Sequence, residues 1–306
     1  MKLSKMRQTT KCSDSLIKYS LIFVKAILLI ITFTVNASIG QNIPKHANEN
    51  DKSGKNPKTA SIEIDVRSIQ KHIVKINDHL YASQFEVNND EYSIFLNHLK
   101  QNKQIEKYQW SQIDSSQWRV NSAYNEPFVR YYHAHPAYAN YPVVNVSFEG
   151  ANFFCEWLTQ QYNANAKRQF KKVLFRLPTK EEWIAIAKCG NPSAIYPWEG
   201  NELKTKKGIY RCNFMRAADD TMGVAGNNND HADITAPSKS YWPNKCGIYN
   251  LSGNVAEMIA EKGKTMGGSW LDEAEAMKIE SPGKFATYNT PMPTIGFRYV
   301  MEIIEM

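Results

Sequence analysis

The chain reads as an α+β protein of short elements held in long irregular segments. Three observations lead there. Two helix starts, Asn88 with Glu91 and Thr179 with Glu182, carry the reciprocal spacing of a capping box, in which each side chain satisfies a free amide of the other's turn. The segments that alternate apolar and polar residues span only about five positions, enough for brief strands. From Gly190 to Met306, Gly, Pro and Asn recur every few residues and no long periodic stretch survives.

Taken in order, Ile62-Glu-Ile-Asp-Val66 has the period of a half-buried strand, and Ile73 to Ile76 repeats it weakly. Asn88 opens a helix with an apolar stripe at Tyr92, Phe95, Leu96 and Leu99. Residues 101–140 are polar and aromatic without a period and are expected to form a long structured loop. Tyr141 to Val146 reads as a strand, after which Ser147 caps a helix bearing Ala151, Phe154, Cys155 and Leu158. Val173 to Arg176 is a strand that Leu177-Pro178 ends, and Thr179 starts a helix through Trp183, Ile184 and Ile186. Short strands are expected near Lys264 to Trp270 and Gly296 to Ile303. No internal repeat and no linker is found after residue 60.

The first forty residues read as a signal peptide. Lys2, Lys5, Arg7, Lys11 and Lys18 form a basic region, Ala26 to Val35 an apolar run, and Ala37-Ser38-Ile39-Gly40 the small residues of a cleavage site. The run is shorter than the roughly 20 residues that span a bilayer. If uncleaved, this segment is the expected hold on a membrane. Residues 41–60 are Lys-, Asn- and Pro-rich and read as a disordered leader, which leaves 61–306 as one domain. The signal segment also carries most of the charge. Six Lys and Arg against Asp14 give +5 of the chain's +7, so about +2 remains and nucleic-acid binding is not indicated. Expected localisation is the periplasm or cell envelope. Cys155, Cys189, Cys212 and Cys246 remain after cleavage, allow three pairings in an oxidising compartment, and form no C-x-x-C.

Several local motifs then line up: Phe85 to Tyr92, Pro142 to Ser147, Arg176-Leu-Pro-Thr-Lys-Glu-Glu-Trp183, Tyr196-Pro-Trp198, Asn213, Gly247-Ile-Tyr-Asn-Leu-Ser-Gly-Asn-Val-Ala-Glu257, Gly267-Gly-Ser-Trp270 and Ile295-Gly-Phe-Arg298. In this order they resemble the formylglycine-generating-enzyme family, the sulfatase-modifying factors, over residues ~80–303. The resemblance implies the irregular, loop-rich formylglycine-generating-enzyme fold of the C-type-lectin kind. Within that family, His135-Pro-x-Tyr, Lys207-Gly-Ile-Tyr, Ala256 and Thr-Ile-Gly-Phe-Arg look most like the gliding-motility and type IX secretion lipoproteins of Bacteroidota. The chain departs from these in lacking a lipobox Cys and in having Met258 after Glu257. The partners this implies are envelope proteins, including type IX secretion or gliding components.

The resemblance also frames the chemistry. The family's oxidases need two thiols just upstream of Gly-Phe-Arg, and Cu(I) selects soft thiolates. Residues 271–287 hold acids and Met277 but no Cys, so no copper and no catalytic residue is expected. Calcium is expected instead, because hard cations take amide, carboxylate and carbonyl oxygens. Carried over residue by residue, one set is Asn213, the Phe214 carbonyl, Asp230 and the Ala232 carbonyl. The other is Asn250, the Gly253 and Val255 carbonyls, and Glu257. Against this stands the plain reading that Asn250 and Asn254 satisfy backbone in a tight turn. Two rivals are weighed beside the non-catalytic envelope protein. One is an enzyme of the same fold, an oxidase or a non-haem iron type, for which His133 and His135 are the only close histidine pair. The other is a calcium-dependent carbohydrate-binding module using Trp110, Trp118, Trp242 or Trp270, although large aromatics usually serve the core. Arg298, between Phe297 and Tyr299, is expected to be buried, paired, and bonded to turn carbonyls near Gly253 and Asn254.

Overall fold

The computed structural model describes residues 65–119, 125–215 and 234–306. The signal segment and the leader lie outside the described residues, as do Ile62 to Ile64 of the first expected strand. Val66, the end of that expected strand, instead opens helix α1 (Val66–Lys71). Asp65 is the reason: its carboxylate accepts from the Arg67 amide at 3.0 Å and caps the helix.

The C-terminus organises the main sheet. Strand β7 (Val300–Glu305) runs antiparallel between β2 (Leu80–Ser83) and β3 (Lys172–Arg176), and β1 (Ile73–Lys75) adds to the outer side of β2. The registers Leu80↔Glu302 and Arg176↔Val300 tie the two ends of the domain together. A smaller sheet has the order β5 (Thr265–Met266), β4 (Ala256–Met258), β6 (Ile295–Gly296), with β4 and β6 parallel. The expected strand over 264–270 shortens to β5 because Gly267 and Gly268 turn the chain at positive φ, and the one over 296–303 divides between β6 and β7.

Both expected capping boxes form. Asn88 starts α2 (Asn89–Gln101) and Thr179 starts the helix over Lys180–Lys188. Within residues 101–140 the expected loop contains α3 (Ile105–Trp110), a 3-10 turn at Ser115–Arg119, and α4 (Glu126–Tyr131). These six-residue helices are under two turns long, too short to print a period on the sequence. Tyr141 to Val146 is not a strand. It makes one bridge, Asn88 to Pro142, because Pro142 has no N–H to give and Asn145 adopts φ 60°. Ser147 does cap α5 (Phe148–Ala164), accepting from the Gly150 amide at 2.9 Å.

Helices α2 and α5 bury one aromatic cluster against the main sheet. Phe95 meets Phe154 edge-on at 5.6 Å, Tyr92 meets Phe297 at 6.2 Å, and Phe154 meets Trp157 at 5.5 Å. Each such pair contributes roughly 0.5–1.5 kcal/mol beyond its burial. Helix α6 (Lys180–Lys188) is fixed to the sheet by Arg176, whose fork donates to both Glu182 oxygens at 2.6 and 2.7 Å and whose Nε reaches Glu302 at 2.9 Å.

The structure joins Cys189 to Cys246, while Cys155 and Cys212 are buried. Cys189 ends α6 in the left-handed conformation, so the bond pins that helix to the turn preceding Gly247. The bridged residues are 57 apart in sequence, which on the chain-entropy account stabilises by about 4 kcal/mol. The Cys189→Ser, Cys246→Ser double variant should therefore lose about 4 kcal/mol in urea unfolding. Equal midpoints for the variant and the oxidised parent would refute a stabilising bond.

Candidate functional site

The turn from Gly247 to Glu257 sits at a junction. Asn250, Gly253 and Asn254 all have positive φ, which coils the turn tightly. At Gly253 a Cβ would lie 2.1 Å from the Asn213 carbonyl oxygen, so only glycine lets that strand of backbone pass. The Asn254 amide then donates to that same carbonyl at 2.8 Å, and Trp270 N donates to the Asn254 carbonyl at 2.9 Å.

Strand β4 delivers Glu257 to the centre. The parallel pairing of Glu257 with Gly296 places it beside Arg298, and both are buried, at 1% and 0% exposure. Arg298 Nε donates to Glu257 Oε2 at 2.6 Å and Nη2 to Oε1 at 2.5 Å, a bidentate fork. Trp183 Nε1 adds a third bond to Oε2 at 2.7 Å. The remaining guanidinium donors reach the Ser83 carbonyl at 3.1 Å and the Tyr249 carbonyl at 2.8 Å. Arg298 is buried and paired as expected, but the carbonyls it bonds differ from those expected near Gly253 and Asn254. The fork to Glu257 turns it toward Tyr249 and the end of β2.

A second carboxylate stands next to this pair. Glu86 is fully buried and accepts from Asn250 Nδ2 at 2.9 Å and from Asn254 Nδ2 at 2.9 Å. Asn254 Oδ1 accepts from the Ala236 amide at 2.7 Å, and Asn250 Nδ2 also reaches the Ser238 carbonyl at 3.2 Å. Burial first, and then the charge of Glu257, push the Glu86 carboxyl up to about 8, against the pull of Arg298 and the two amides. Glu86 lies inside the Phe85 to Tyr92 motif, where the sequence assigns it no role. The available signal was an acid in an otherwise apolar approach to a helix cap.

The expected ligand sets divide. Asn250, Gly253, Val255 and Glu257 are all buried in the one turn. Asn213 donates to the Ile234 carbonyl at 2.8 Å, and Phe214 packs with Tyr196 and Met277. Asp230 and Ala232 lie outside the described residues.

Where the oxidases carry thiols, this chain builds a turn around Asp272. That side chain is 1% exposed and accepts from Ser269 N at 2.9 Å, from Ser269 Oγ at 2.6 Å, and from the Lys284 amide. Met277 is fully buried, with Ser252 Oγ donating to its carbonyl at 2.6 Å. The histidine pair does not sit on a strand. His133 Nδ1 meets Asn89 Oδ1 at 2.9 Å and burial pushes its ring down to about 3, whereas His135 is exposed and accepts from the Ala137 amide. Among the described residues no group of three His, Cys, Asp or Glu could hold a metal. Trp118 and Trp270 stack in the core at 6.4 Å, while Trp110 and Trp242 are exposed.

A family profile described as the sulfatase-modifying factor enzyme 1-like domain matches residues 50–303. The chain belongs to this family. Its sulfatase-modifying-factor fold is mixed α and β with little regular structure. The formylglycine-generating enzyme of Thermomonospora curvata is 37% identical over 122 residues, 40% of this chain and 34% of that enzyme. The inactive C-alpha-formylglycine-generating enzyme 2 of Mus musculus is 29% identical over 143 residues, 44% of this chain and 39% of that protein. The matched stretches thus span well under two thirds of these relatives. Among solved structures, CarF aligns with a TM-score of 0.47 at 20% identity, covering 76% of this chain and 93% of that one.

The raised Glu86 carboxyl has a testable sign. A folded-state value above the unfolded one means the folded chain binds the proton more tightly, so Glu86 contributes less to stability as pH rises from about 5 to 8. The Glu86→Gln variant should flatten the fall in unfolding free energy over that range, checked by urea melts at several pH values. An unchanged slope would contradict a protonated Glu86.

Proposed function

We propose that this sulfatase-modifying-factor domain is a non-catalytic interaction protein of the cell envelope, exported by its first forty residues and acting with gliding or type IX secretion components. The observation that carries the non-catalytic part is the segment over 271–287. It has no Cys, its Asp272 is consumed by a turn, and its Met277 is locked in the core. Burial pushes the Cys155 thiol far above its usual range, and Cys212 is buried in the apolar cluster that holds Phe214 and Met277. The branch motifs at His135, Lys207 and Ala256 and the n-, h- and c-regions at the N-terminus support export and the envelope role.

Incubation of the purified protein with Cu(I) and a Cys-containing sulfatase peptide tests this directly. The expected mass spectrum is unchanged peptide. Conversion of the Cys to formylglycine would end the non-catalytic reading. In the native envelope, affinity isolation should recover secretion or gliding components, and their absence at native expression would remove that part.

A structural calcium belongs to the same reading. Asn250 offers an amide oxygen beside its Nδ2 bond to Glu86, and among the described residues Glu257 Oε1 takes one bond, from Arg298, leaving a lone pair. With the Gly253 and Val255 carbonyls these are hard oxygen donors, which fit calcium. Asn213, the Phe214 carbonyl, Asp230 and the Ala232 carbonyl would form the other site. The bound ion would supply a cross-link between loops. Calcium at about 100 times its Kd should then raise the melting temperature of chelator-treated protein by about 5–10 °C. Asn250→Ala should remove part of that rise. Identical melts with and without calcium would dismiss the ion.

A further inference from the structure

A cavity of about 630 Å³ lies between two loops that the Cys189–Cys246 bond joins. One wall is Cys189 to Asn191, and the facing wall is Pro243 to Lys245. Arg211 and Trp198 close the third side. Arg211 is brought there by a returning segment, in which Lys204 bridges Tyr210 and the Arg211 amide donates to the Leu203 carbonyl at 2.9 Å.

The surroundings of Arg211 are fixed. Its guanidinium lies 6.0 Å from the Trp198 ring centroid. Trp198 stacks on Tyr196 at 5.0 Å with an interplanar angle of 2°, and its indole N–H donates to the Glu202 carbonyl at 3.0 Å. Among the described residues, however, no carboxylate pairs with Arg211, and its buried Nε has no hydrogen-bond partner. Lys245, exposed at the rim, also lacks an ion pair among the described residues. Lys188 on the same cavity is engaged by Glu280, and Glu199 is the one acid of the lining. Removing a charge from water without a partner is costly, so a half-buried guanidinium left open calls for an anion. Its planar fork matches two oxygens of a carboxylate or phosphate. The volume falls in the range of small-molecule sites, and the disulfide holds the walls before any ligand arrives.

We propose that this cavity binds a small ligand carrying a carboxylate or phosphate group, with Arg211 as the primary contact and Lys245 as the secondary one.

Titration calorimetry of the whole oxidised protein with glucuronate, inorganic phosphate and glucose tests it. Glucuronate or phosphate should bind, glucose should not, and added salt should weaken the binding. The stronger of the two anions identifies the group. Arg211→Gln should weaken binding about tenfold or more. Lys245→Gln, at an exposed position, should weaken it by a smaller factor without altering the fold, and keeps the test valid if the arginine variant misfolds. No binding of either anion, or equal affinity in both variants, would overturn the proposal.

Discussion

The structure depends on one buried ion pair, Arg298 with Glu257. A guanidinium taken fully out of water has an effective penalty of several kcal/mol, which geometry must offset. Here it does so through a bidentate fork, two backbone carbonyls and an indole N–H on the carboxylate. Each partner comes from a different part of the chain: the end of β2, the Tyr249 turn, β4 and helix α6. Regular structure is sparse in this half of the protein, so few backbone ladders hold those parts in place. The ion pair takes over that task.

Glu86 follows from the same constraint. The pair is neutral, and a second ionised carboxylate beside it would leave a buried net charge. Burial and the charge of Glu257 therefore hold Glu86 protonated to about pH 8, while Asn250 and Asn254 orient it. The two asparagines that look like turn residues in the sequence are that, and they also bridge the turn to the start of α2. This junction is why the motif is dense in Gly and Asn: Gly253 clears the Asn213 carbonyl, and Asn250 and Asn254 supply both left-handed backbone and amide donors.

How much of this was legible varies with the range of the interactions. The caps at Asn88, Ser147 and Thr179 were readable because each is local within three residues. The motif order carried the fold class, and the missing thiols were a plain count. Tyr141 to Val146 misled because its apolar content looks strand-like while Pro142 and Asn145 prevent a ladder. The burial of Arg298 was readable from its apolar neighbours, but its bonds to Ser83 and Tyr249 cross 215 and 49 positions. The role of Glu86 was hidden for the same reason, since its partners lie 164 and 168 residues away. The choice of disulfide was open in the sequence, and only the packing of α6 against the Gly247 turn selects it.

The most direct test is a double-mutant cycle on Glu257 and Arg298, read by urea unfolding at pH 7. Glu257→Gln and Arg298→Met should each cost about 3–5 kcal/mol, because each strands its partner's charge in the interior. The double variant should cost clearly less than the sum, a coupling of at least about 2 kcal/mol. Losses that add to within about 0.5 kcal/mol would contradict the account, since they would show two side chains that act independently.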